Sequence, residues 1–172
     1  MMMILNMKQN YGFGGNYSHM KIDKIQNKKE ISEQLQYELD MRAEEGNKYF
    51  DNNEYDKALE IWKKALDLIP EPKKNFSEAV WFLTSIGDIY FIQEKYEEAF
   101  NNFEDAKNNL SGDGINNPFI LLRLGQSAFE LGKKELATEN LLRAYMLEGK
   151  EIFEEDDKKY FEFLKSKVDL YN

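Results

Sequence analysis

The stretch from Glu44 to Pro70, EEGNKYFDNNEYDKALEIWKKALDLIP, constrains this chain most, because its pattern of small and aromatic residues returns twice downstream. Gly46, Tyr49, Tyr55, Ala58, Trp62, Ala65 and Pro70 are spaced for a helix, a tight turn and a second antiparallel helix. Gly87, Tyr90, Tyr96, Ala99, Phe103 and Ala106 repeat that spacing, and Gly125, Ala137, Leu141 and Ala144 keep most of it. In each unit a glycine lies twelve residues before one alanine, with a second alanine seven further on. The smallest side chains therefore fall where two antiparallel helices cross, and larger ones would push the axes beyond about 8–10 Å. Trp62, Phe103 and Leu141 lie between the two alanines on one face of the second helix, placed as wedges into the next unit. Asn53 and Gly132 stand just after the first helix, where a left-handed residue ends it. Glu94 holds that place in the middle unit, whose turn is the least well specified of the three.

This pattern resembles the tetratricopeptide repeat (TPR), a 34-residue unit with a small residue, an aromatic, two alanines and a closing proline at these offsets. The resemblance implies an all-α fold. It implies a right-handed superhelical stack of three helix-turn-helix repeats, about 39–72, 80–113 and 118–149, with an extended first helix and a C-terminal capping helix over about 157–170. The middle unit keeps Leu83 and Ile86 ahead of Gly87, where the family has large apolar residues. The first has Arg42 and Glu45 there, so that face is open at the array's end or covered by the segment before it. In the third, Ala128 replaces the aromatic and Gly149 the proline. The glycines are 41 and 38 residues apart, which places short insertions around Pro70–Ser77 and Ser111–Asn117.

Composition fits one domain: 172 residues with 42% hydrophobic content are enough for a continuous core. A formal charge of −9 argues against nucleic acid or anionic membrane as partners, since both need clustered lysine and arginine. The chain has no cysteine, hence no disulfide framework and no thiolate chemistry. Its one histidine is His19, which leaves the repeats without a serine–histidine relay or a two-histidine metal site. Carboxylates sit at surface helical spacing beside lysines, as Glu60 does with Lys63 and Lys64. No enzyme activity, cofactor or metal is expected. No stretch reads as a membrane span, Met1–Leu5 is too short for the core of a signal peptide, and the cytoplasm is the expected location.

In chain order, residues 1–28 read as a flexible N-terminal tail. Tyr11–Asn16 has no period and no phosphate-loop lysine and serine after it. His19-Met20 reads as a cloning junction or an internal start. Residues 29–172 form the repeat domain. From about Lys29 the chain turns helical, with Ile31, Leu35 and Leu39 on one stripe. Helices are expected over about 55–69, 78–93, 96–110, 118–131 and 134–147. Pro70 and Pro72 stop the first of these, Ser77 caps the next, and Asn117 caps a helix with Pro118 as its first residue. Ser111-Gly112-Asp113-Gly114 is a turn cluster. Asp156 or Asp157 caps the last helix, whose inner stripe is Tyr160, Phe161, Leu164 and Val168. The acidic run Glu154–Asp157 lacks the alternating ligands and glycine of a calcium loop and reads as a solvated helix start.

The family resemblance implies that a protein or peptide partner is held on the concave face, lined by the first helix of each unit. Carried across, the groove positions are Asp40, Ala43, Asn47, Phe50 and Asp51; Trp81, Thr84, Asp88, Phe91 and Ile92; and Phe119, Leu122, Gln126, Phe129 and Glu130. Phe50, Phe91 and Phe129 recur at one place, either as a ladder for apolar side chains or as packing of the helix pair. Chaperone-binding members clamp a terminal carboxylate with two lysines, two asparagines and an arginine. Here the lysine places hold Ala43 and Phe119, the asparagine places Asn47 and Ser85, and only Asn47 and Arg123 match. Weak or no binding of acidic chaperone tails is expected. The end of the chain, Arg143–Met146, Ile152-Phe153 and Lys159–Leu164, looks like the closing segment of short stand-alone bacterial repeat proteins. Some of those are immunity partners of toxins, and net acidity suits a basic toxin domain. An accessory subunit of an enzyme complex is the further alternative.

Overall fold

The computed structural model describes residues 30–109 and 117–170. The tail and the turn at Ser111–Gly114 lie outside the described residues. Among the described residues seven α-helices follow one another: α1 Glu33–Asp51, α2 Tyr55–Leu68, α3 Glu78–Ile92, α4 Tyr96–Asn109, α5 Pro118–Glu130, α6 Lys134–Glu148 and α7 Lys158–Lys167. Short 3-10 turns occupy Lys73–Asn75 and Gly149–Phe153. No strand occurs among the described residues. The densest packing is within the hairpins α1/α2, α3/α4 and α5/α6, and each hairpin then leans on the next through α2/α3 and α4/α5. The outcome is a superhelical stack with α1, α3 and α5 on its inner side.

The crossings are made by the residues that the spacing singles out. A Cβ on Gly46 would lie 2.0 Å from Trp62 Nε1, and one on Gly125 2.6 Å from Leu141 Cγ. At Gly87 the nearest atom would be Phe103 Cζ at 3.1 Å, a looser crossing. The wedges also reach forward: Trp62 meets Trp81 edge to face at 5.4 Å, and Phe103 meets Phe119 at 6.4 Å. Trp62, Phe103 and Leu141 are fully buried, and each such side chain contributes about 1.5–3 kcal/mol.

Asn53, Glu94 and Gly132 all adopt left-handed φ, at 60°, 59° and 71°. Each turn is closed by the same long bond: Glu54 N–H to Tyr49 C=O, Lys95 to Tyr90, and Lys133 to Ala128. These bonds satisfy carbonyls that a helix end leaves unpaired. Ser32 caps α1 by accepting from Leu35 N–H, Asn117 caps α5 by accepting from Ile120 N–H, and Asp157 caps α7 by accepting from Lys159 N–H. Ser77 does not act as the expected cap. Its backbone is already helical and its side chain makes no capping bond, so its carbonyl instead closes a turn onto Val80 N–H. The insertion after Pro70 is the Lys73–Asn75 turn, which rests against α4 and is anchored by buried Phe76.

Candidate binding trough

α1, α3 and α5 carry all ten expected site residues, but not as an open lining. Phe50, Trp81, Asp88, Phe119, Leu122, Arg123 and Gln126 are buried, while Asn47, Phe91 and Phe129 are half-buried. Trp81 is closed off by Trp62 and Phe82, and Phe119 by Phe103. α3 touches α5 directly, which draws the second interval of the trough shut at its base.

Arg123 is the hub of that interval. Its Nε donates to Asp88 Oδ1 at 2.8 Å, and its Nη1 to Gln126 Oε1 at 2.8 Å and to Asp156 Oδ1 at 3.1 Å. The Phe91 and Phe119 rings lie against the guanidinium, at 4.6 and 5.2 Å from Cζ to the ring centroids. Such planar stacking and forked donation suit arginine and would not be reproduced by lysine. Burial works against the charge, but the two carboxylates outweigh it and hold the Arg123 pKa above its ordinary value. Burial pushes the Asp88 carboxyl up, against the pull of Arg123. The pair is thus a desolvated ion pair inside the scaffold, and breaking it from one side costs more than never having had it.

Asp156 corrects the reading of the acidic run as a solvated helix start. Glu154, Glu155 and Asp157 are exposed and Asp157 caps the helix, but the Asp156 side chain is 11% exposed and reaches into the trough. One turn on, Tyr160 follows it. Its ring packs on Phe129 at 5.5 Å and Phe91 at 6.4 Å, and its hydroxyl donates to Glu130 Oε1 at 2.7 Å. Burial first, and then the bond to Glu130, hold this phenol well above the usual range. Lys159 pairs with the same Glu130 oxygen at 2.7 Å, and Phe163 meets Phe129 edge to face at 5.0 Å. α7 therefore does two things: Leu164 joins the core of the last hairpin, as a cap would, and Asp156 with Tyr160 covers the trough.

Sequence spacing held a signal for this that the repeat reading passed over. Phe50 and Phe91 are each covered by the tyrosine five residues later, Tyr55 at 5.4 Å and Tyr96 at 5.5 Å. After Phe129 that place is Lys134. The third phenylalanine lacks its local partner, and Tyr160 and Phe163 supply one from the end of the chain. Phe50 and Phe91 accordingly pack within their own hairpins, and Phe129 against the end of the chain.

The first interval, between α1 and α3, is different. A concavity of about 590 Å³ lies there, lined by Glu30, Ile31, Glu33, Gln36, Tyr37, Asp40, Ser77 and Glu78. Tyr37 is 68% exposed, and the lining carries four carboxylates and no basic residue. None of these except Asp40 was among the expected groove positions, since Glu30 to Tyr37 lie ahead of the repeat and Ser77 and Glu78 at the very start of α3.

A stack of antiparallel helical hairpins around a curved inner face is the architecture of a helical-repeat solenoid. Its particular form is the tetratricopeptide-repeat fold: the chain superposes on the C-terminal TPR-containing domain of an FK506-binding protein from Plasmodium falciparum with a TM-score of 0.59, covering 78% of this chain and 87% of that one at 23% identity. In sequence, 107 residues are 35% identical to protein unc-45 homolog B of Xenopus tropicalis and 36% identical to that of Xenopus laevis, covering 62% of this chain. The chain spans 11% of the length of these relatives. No family model matches it.

Proposed function

We propose that the chain is a non-catalytic module that binds a protein or peptide partner, with residues 29–172 as its domain and the first interval of the trough as the place of contact. The observation that carries this is the concavity beside Tyr37, the part of the inner face that the described residues leave uncovered while closing the second interval on themselves. An exposed tyrosine supplies contact area at low entropic cost. The surrounding Glu30, Glu33, Asp40 and Glu78 favour a segment bearing lysine or arginine, and acidity of the whole chain speeds its approach. Among the described residues no three histidine, cysteine or carboxylate side chains are grouped to hold a metal, and no helix is long and apolar enough to cross a membrane.

The test compares proteins retained from native-cell extract by the wild type and by a Tyr37→Ala, Asp40→Lys variant of equal helicity. A protein retained in stoichiometric amount by the first and lost by the second supports the reading; equal retention by both sinks it. The same acidic lining supports a second reading, in which the partner is a basic toxin domain neutralised by this chain. Neutralisation of a nuclease activity by the wild type and not by the variant would single that reading out. An enzyme recovered as the retained protein would instead make the chain an accessory subunit.

A further inference from the structure

α7 is attached more sparsely than the helices it follows. It packs on α6 and on the Gly149–Phe153 turn, with Tyr160 and Leu164 as its only buried residues, and lacks the dense partner that each of α1 to α6 has in its own hairpin. Elements held by so few contacts are the ones that open most readily. What α7 and its lead-in present to the trough is nonetheless specific: a carboxylate at Asp156 for Arg123, then a ring at Tyr160 four residues later between Phe91 and Phe129. If the segment leaves, Arg123 keeps Asp88 but loses its second carboxylate, and both phenylalanine faces lose cover. A competitor must therefore bring a carboxylate just ahead of a helix and an aromatic ring in that helix's first turn. We propose that Asp156 with α7 is a displaceable, built-in occupant of the second interval, and that the partner taking its place is a short amphipathic helix with an aromatic side chain in its first turn and a carboxylate four residues before it, ahead of the helix cap.

This inference rests on the trough being the partner-binding face, and it assigns the second interval a ligand of opposite character to the basic segment favoured by the first. The test uses a labelled synthetic peptide of the chain's own residues 154–170, titrated by fluorescence anisotropy into full-length wild type and full-length Asp157→Ala. Asp157 caps α7 from a side chain 59% exposed, so its loss loosens the built-in copy without touching the trough. Loss of such a cap corresponds to roughly a fivefold shift in an equilibrium, and the peptide is expected to bind Asp157→Ala about fivefold more tightly than wild type. Lys159→Ala, which removes the pair with Glu130, is expected to shift affinity the same way and serves if the first variant has altered circular dichroism. A peptide carrying Asp156→Asn and Tyr160→Ala should bind at least about tenfold more weakly. Equal affinity for wild type and both variants, indifference to the peptide's substitutions, or no binding to any of the proteins overturns the inference. Because none of these changes touches Tyr37 or Asp40, failure here leaves partner capture through the first interval to be judged on its own test.

Discussion

Replacing Gly46 by alanine sets two opposed effects against each other at one atom. In an exposed helix the change would stabilise by about 1 kcal/mol, because alanine is the better helix former. At Gly46 the new methyl would meet Trp62 Nε1 at 2.0 Å, Cδ1 at 2.5 Å and Cε2 at 2.6 Å, where ordinary contact begins at 3.4 Å. Relief requires the indole to move by more than an ångström. It has nowhere to go, since the ring is fully buried, stacked on Phe50 at 6.0 Å and met edge-on by Trp81 at 5.4 Å. Overpacking a tight core costs about 1–3 kcal/mol, occasionally more, and an overlap this deep between two rigid groups belongs at or above the upper end. A net loss of about 2 kcal/mol is expected, which for a chain of this size lowers Tm by roughly 4–8 °C. Gly87→Ala is the internal control. There the overlap is a few tenths of an ångström against the edge of the Phe103 ring, and the propensity gain should bring the change to within about 1 kcal/mol of neutral. Urea unfolding of both variants, followed by far-ultraviolet circular dichroism, gives the ranking. Equal midpoints for Gly46→Ala and Gly87→Ala would refute the claim that glycine sets the approach of the first two helices.

Glu94 pays the cost of a left-handed backbone that its equivalents avoid as Asn53 and Gly132. Relief of about 1–2 kcal/mol, less the extra unfolded-state freedom of glycine, makes Glu94→Gly stabilising by about 0.5–1 kcal/mol, read as a higher urea midpoint with unchanged slope. Arg123→Ala should cost about 3–5 kcal/mol by stranding the Asp88 and Asp156 carboxylates inside the protein, and adding Asp88→Asn should return part of that loss. If the single and double variants melt alike, Asp88 and Arg123 do not depend on each other. The raised Tyr160 phenol means that the folded state holds a proton the unfolded chain releases near the ordinary pKa of about 10. Its contribution is complete below that pH and is lost as pH climbs above it. Lys159, raised by its bond to Glu130, discharges in the same direction. Tyr160→Phe should therefore be less stable than wild type at pH 7, by about 1 kcal/mol for the lost bond to Glu130. The gap should narrow between pH 10 and 11, and a constant difference across that range would argue against the titration.

Most of the scaffold could be read from spacing along the chain, and the reason is that its determinants are local. Gly46, Ala58 and Ala65 define a helix crossing within one hairpin. Asn53 and Gly132 end helices by their own backbone preferences, and Asn117 with Pro118 starts one. Each works over a few helical turns, so its period survives in the linear order. Even the weak point at Glu94 was visible, since the equivalent residues in the other units name the conformation it must accept. Ser77 was misassigned because a good capping residue caps only if its own backbone leaves the helix, and Ser77 is already helical at φ −67° and ψ −28°.

The trough was decided by contacts that no period encodes. Arg123 takes carboxylates from Asp88, 35 residues before it, and from Asp156, 33 residues after it, and either partner could have been a surface charge on its own helix. Sequence placed Asp156 and Tyr160 on a terminal helix with a buried stripe. Only the curvature of three stacked hairpins carries that helix back far enough for Tyr160 to touch Phe91 of the second unit as well as Phe129 of the third. The residues alone thus determined hairpins, crossings and turns, because side-chain size and backbone preference act on near neighbours. Which half of the inner face the described residues close was left to the tertiary structure, because burial of a charge and cover of an aromatic depend on what distant elements arrive beside them.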